Sequence, residues 1–108
     1  MAATEYLQVT TTAGSEEEAE RIGAALVERR LAACVQVVGP IASRYRWRGE
    51  VERSTEWMCL AKTSAARYAE LETAIREIHS YEQPEIIATP IVAGSAGYLE
   101  WIGECLRP

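Results

Sequence analysis

A chain of 108 residues reads as one domain, 1–108, long enough to bury a core without disulfide staples. Its net charge of -5 argues against nucleic acid as a partner. Cys34, Cys59 and Cys105 form no CxxC pair, which excludes a zinc knuckle and a disulfide framework and suits reduced thiols in the cytoplasm. Residues 1–6 show no basic region followed by an apolar run, so neither a secretory signal nor a membrane span is expected.

Residues 5–11 alternate, with Leu7, Val9 and Thr11 on one face and Tyr6, Gln8 and Thr10 on the other, which predicts a first strand. Ala13-Gly14 breaks it. Ser15 with Glu18 three residues on is the pattern of a capping box, and Glu16 and Glu17 suit the positive end of a helix dipole. Ala19, Ile22, Gly23, Leu26 and Leu31 share one apolar face, so 15–31 reads as an amphipathic helix. An apolar run from Ala33 to Val38 stops at Gly39-Pro40, after which Ile41, Ser43, Tyr45 and Trp47 alternate with Ala42, Arg44, Arg46 and Arg48. Past Gly49 the alternation resumes, with Val51, Arg53, Thr55, Trp57 and Cys59 on one face. A three-residue turn at Arg48-Gly49-Glu50 would set Trp47 opposite Val51, Arg46 opposite Glu52 and Ile41 opposite Trp57.

Strands over 33–47 and 51–62 would each span roughly 40 Å at ~3.3 Å per residue. A globule of this size has a radius of gyration of only about 13 Å. The hairpin must therefore project, bend at Gly39-Pro40 or pair with another chain. The exposure of Tyr45, Trp47 and Trp57 that projection implies favours an oligomer. Thr63-Ser64 caps a second helix, on which Tyr68, Leu71, Ile75 and Ile78 recur at helical spacing, and Pro84 requires that helix to end before Gln83. Residues 85–92 read as a fourth strand in which Pro90 marks an edge or a break. Ser95 caps a last helix with Tyr98, Leu99, Ile102, Cys105 and Leu106 inward. The fold class is α+β: a split-βαβ, ferredoxin-like plan, βαββαβ plus a C-terminal helix, with a long hairpin between the second and third strands.

The densest chemistry lies in His79-Ser80-Tyr81-Glu82-Gln83-Pro84-Glu85-Ile86, which holds the one histidine of the chain. His79 offers an imidazole and Glu82 and Glu85 offer oxygens, a set that suits Cu(II) or another divalent cation. A dedicated metal site draws on three or four fixed ligands, so weak surface binding of Cu(II) is the expectation for a lone histidine. Gly94-Ser95-Ala96-Gly97 opens a helix but follows neither a Walker pattern nor GxGxxG. With a single histidine and no supporting Ser or Asp motif, an enzyme is not expected.

Three segments in this order resemble the CutA divalent-cation-tolerance family. They are Leu31-Ala32-Ala33-Cys34-Val35, then Ser43-x-Tyr45-x-Trp47-x-Gly49 with Glu56 and Lys62-Thr63 downstream, then His79-x-Tyr81-Glu82-x-Pro84-Glu85-Ile86. The closing Tyr98-Leu99-x-Trp101-Ile102 fits as well. The resemblance implies a ferredoxin-like subunit in a tight homotrimer, similar in architecture to PII signalling proteins, and a role in divalent-cation tolerance with copper the leading ion. It also implies that Trp47, Glu56, Lys62, Tyr81, Glu82 and Glu85 gather at the subunit boundary. There a small polar or anionic ligand would find aromatic faces and mixed charge, with Lys62 meeting a phosphate or carboxylate, so a signalling or small-molecule-sensing scaffold is the alternative. The enteric bacterial pattern has a cysteine at the end of the first strand and two adjacent histidines. In this chain those positions hold Thr11 and Ile78, so His79 stands alone, and Ser80 replaces the usual proline.

Overall fold

The computed structural model describes residues 5–108, and the reading of residues 1–4 falls outside them. The first strand, β1 (Tyr6–Ala13), buries Val9, Thr11 and Ala13, the face that its alternation sets inward. Ser15 then starts α1 (Glu16–Glu28): its Oγ accepts the Glu18 N–H at 3.1 Å. The reciprocal half of the capping box does not form, because the Glu18 carboxylate turns to Ser80 instead. The helix also stops short of Leu31. Arg30 takes a left-handed φ of 59°, and the N–H groups of Arg30 and Leu31 bond the carbonyls of Val27 at 3.1 Å and Leu26 at 2.9 Å. That is a Schellman closure, with buried Leu26 and Leu31 supplying the apolar contact that accompanies it.

The long ribbon is β2 (Cys34–Trp47) paired antiparallel with β3 (Glu50–Ser64). Its register corrects the three-residue turn. Trp47 lies opposite Glu50, Arg46 opposite Val51, Tyr45 opposite Glu52 and Ile41 opposite Glu56. Arg48 and Gly49 both take positive φ, 50° and 83°, the geometry of a two-residue type I′ turn whose twist matches that of the strands. The tip is exposed on both faces, so no burial opposes this choice. The cis Gly39-Pro40 peptide falls where the register shifts between Val38 and Ile41, and this bulge is the break that the sequence marks. A Cβ on Gly39 would lie 2.5 Å from Cδ1 of Trp57, so only glycine lets the backbone pass that ring.

Ser64 caps a single 3-10 turn (Ala65–Arg67), its Oγ accepting the Arg67 N–H at 3.3 Å, and α2 (Tyr68–Ile78) follows. The fourth strand, β4 (Ile87–Pro90), is shorter than 85–92. It is an edge strand paired with β1, and Pro90 is its last residue. Ser95 precedes α3 (Ala96–Cys105), but its side chain makes no capping hydrogen bond.

The four strands form one antiparallel sheet in the order β2-β3-β1-β4, with α1 and α2 packed on one face. Val9, Ile22, Leu26, Cys59, Leu71 and Ile75 make the main core, and Ala33, Ile102 and Leu106 a smaller one under α3. The longest dimension is 44 Å and the radius of gyration 14.5 Å, so the ribbon projects. Among the described residues no helix is long and apolar enough to cross a membrane.

Candidate functional site

The segment after α2 cannot continue the helix, and polar bonds decide its path. His79 leaves the helix in extended backbone, its N–H still bonded to the Ile75 carbonyl at 2.8 Å. Its side chain is fully buried. Nε2 lies 2.7 Å from the Thr12 carbonyl oxygen, which can only accept, so Nε2 carries the proton. Nδ1 accepts the Tyr81 N–H at 3.1 Å. Both ring nitrogens of this neutral imidazole are therefore engaged.

Glu18 clasps the same segment from α1. Its two oxygens accept the N–H of Ser80 at 2.7 Å and the Ser80 hydroxyl at 3.0 Å. Burial pulls the Glu18 pKa upward, but the two Ser80 bonds, helped by the charge of Arg21, outweigh it, and the carboxyl ends below its ordinary value. Thus oriented, Tyr81 lays its ring 4.7 Å from that of His79 and passes the end of β1 at Gly14, where a Cβ would sit 3.1 Å from its oxygen. The phenol donates to Oε2 of Glu56 at 2.8 Å. Burial, then that bond and the charge of Glu56, push the phenol well above its usual pKa.

Cross-strand partners share a face, so Ser43, Tyr45 and Trp47 of β2 stand beside Glu52 and Glu56 of β3. Opposite them runs the 80–85 segment, and between the two lies a cleft of about 860 Å³. At its rim Arg48 and Glu82 form an ion pair at 2.9 Å with both side chains largely exposed, a contact worth about 1 kcal/mol at most. The Arg48 guanidinium also sits 5.4 Å from the Trp47 ring centre.

Of the residues singled out from sequence, Trp47, Glu56, Tyr81, Glu82 and Glu85 line this cleft. Lys62 does not: it lies in β3 opposite Cys34 and donates to Oε1 of Gln36 at 2.9 Å. His79 lies beneath the cleft, tied to Thr12 and Tyr81. His79, Glu82 and Glu85 are not gathered around a common point, and among the described residues no three His, Cys, Asp or Glu side chains could jointly hold a metal ion. Thr11 is 1% exposed and its Oγ1 has no hydrogen-bond partner among the described residues; it lies in the core opposite Cys59. Burial, then the charges of Glu20 and Glu18, push the Cys59 thiol up to about 11. Glu18 and Glu52 were not singled out for the site. Glu18 was masked by its capping-box position, and Glu52 by a turn register that set it on the other face.

The sequence profile described as "CutA1 divalent ion tolerance protein" matches residues 7–105. The divalent-cation tolerance protein CutA of Thermus thermophilus is 45% identical over 96 residues, covering 89% of this chain and 93% of that protein. Human protein CutA is 38% identical over 91 residues, covering 84% of this chain and 51% of that longer one. The crystal structure of CutA1 from Shewanella sp. SIB1 superposes with a TM-score of 0.94 at 37% identity, over 99% of this chain and 100% of that one.

Proposed function

The chain belongs to the CutA1 divalent ion tolerance family, and from that premise we propose that it serves divalent-cation tolerance as a cytoplasmic homotrimer of ferredoxin-like subunits. The family match over residues 7–105 is the observation that carries this reading. The strand order β2-β3-β1-β4 with a ribbon extending past the core suits the ferredoxin-like plan and a neighbour against the ribbon. Three unbridged cysteines suit a reducing compartment.

Because His79 has no free nitrogen to offer, Cu(II) or another divalent ion meets only separate carboxylates at the cleft rim, such as Glu82 or Glu85, and not a converging set. Calorimetric titration of Cu(II), with Zn(II) as control, tests this. Weak binding is expected, retained in His79→Ala and reduced in a Glu82→Gln, Glu85→Gln double variant. Stoichiometric binding abolished by His79→Ala alone would restore the histidine as the ligand.

A second reading rests on the cleft alone. Its size and aromatic wall suit a small molecule, which would make the protein a sensing scaffold. The names of its relatives speak for cation tolerance and not for this second role.

A further inference from the structure

We propose that the cleft between the ribbon and the 80–85 segment binds a small organic cation, whose ammonium or guanidinium head meets Glu56 between aromatic faces. The inference rests on the second reading above, that the cleft receives a small molecule, and it names the chemical class.

The sign of the charge comes from the lining. Glu52, Glu56, Glu82 and Glu85 face the cleft, against the single guanidinium of Arg44. Arg48 neutralises only Glu82. An anion would meet Glu52, Glu56 and Glu85, for which no ion pair forms among the described residues, and Lys62, the cation an anionic ligand would use, is bonded to Gln36 away from the cleft. The cleft is therefore built for positive charge.

Glu56 marks where that charge sits. It is only 6% exposed, yet among the described residues it receives one hydrogen bond, from the neutral Tyr81 phenol, and no Lys or Arg lies within ion-pair distance. A buried carboxylate is normally matched by a cation and several donors. Among the described residues no donor reaches Oε1 of Glu56, on a side chain that lines the cleft. The clasp of Thr12, His79 and Ser80 fixes Tyr81, and Tyr81 fixes Glu56, so the acceptor is already in position.

The aromatic residues separate an organic cation from a metal ion. Tyr45, Trp47 and Tyr81 line the same space. Aromatic faces attract ammonium and guanidinium groups within about 6 Å and replace the water that such groups give up easily. A hard, strongly hydrated divalent ion gains little from such walls and draws on converging oxygens instead.

The test is titration of the full chain with agmatine, followed by Trp fluorescence and calorimetry. Butylurea and butyrate serve as neutral and anionic controls, and Glu56→Gln, which keeps an acceptor for Tyr81, as the variant. Saturable agmatine binding that weakens about tenfold in Glu56→Gln, with an unchanged thermal melt, is expected; one charge-assisted hydrogen bond carries a loss of that size. Agmatine binding that Glu56→Gln leaves unchanged overturns the assignment of Glu56. Preference for butyrate or butylurea overturns the charge assignment and leaves the cleft a small-molecule site. Silence from all three probes overturns both. Binding confined to an arginine-centred pentapeptide overturns the free small molecule as the source of the cation.

Discussion

The two halves of this molecule are held by different forces. Under the helices, the sheet face is sealed by Val9, Ile22, Leu26, Leu71 and Ile75, each at most 1% exposed. Around the cleft, Tyr45, Trp47 and Val51 are 42%, 39% and 58% exposed, and the 79–85 segment stays in place through hydrogen bonds to Thr12, Glu18 and Glu56. Apolar burial is indifferent to direction and depends on volume; hydrogen bonds depend on direction and on charge. The first half therefore answers to changes of size, and the second to changes of polarity and pH.

The largest effect should come from the packed half. Ile75→Ala removes a side chain with no exposure and should lower the unfolding free energy by about 2–5 kcal/mol in chemical denaturation. A loss of only a few tenths would mean that the core is looser than its burial implies. Next comes the junction between the halves. Gly39→Ala places a Cβ 2.5 Å from the Trp57 ring and should destabilise by about 1–3 kcal/mol, with a change in Trp fluorescence as the ring moves.

The clasp should respond to acid. Glu18 has a lowered pKa in the folded state, so the unfolded chain takes up its proton first as pH falls. Its contribution is present above the ordinary carboxylate pKa of 4.5 and is lost as pH falls through the lower folded value. Denaturation midpoints measured from pH 7 to pH 3 should show this loss, and Glu18→Gln should flatten it; equal slopes in both proteins would remove the clasp from the account. The smallest effect belongs to the ribbon tip. Val51→Thr, at an exposed position, should shift stability by no more than about 0.5 kcal/mol, and a larger change would show that the tip is covered in solution.

What the sequence revealed follows the same division. Where burial rules, periodicity was enough: the inward face of β1, the apolar stripe of α1 and the spacing of Leu71 and Ile75 all lie as the pattern predicts. At the ribbon tip no face is buried, so hydrophobic alternation could not choose between registers, and the left-handed φ of Arg48 chose instead. The end of α1 was misplaced for a related reason, since an arginine took the left-handed position that glycine usually marks. In the cleft, Trp47, Glu56, Tyr81, Glu82 and Glu85 were legible through the family resemblance. The path of the Glu18 side chain was not. A carboxylate three residues after a serine cap satisfies a local pattern, and only the fold brings Ser80 within its reach.

The central claim is that His79 is a structural clasp whose two nitrogens are spent on Thr12 and Tyr81. Nitrogen-15 correlation spectroscopy of the imidazole tests it most directly, because the chain has one histidine and therefore one set of signals. The account predicts a neutral ring with its proton on Nε2, unchanged when Zn(II) is added. A proton on Nδ1, or a zinc-induced shift of either nitrogen, would contradict it and return His79 to the role of metal ligand.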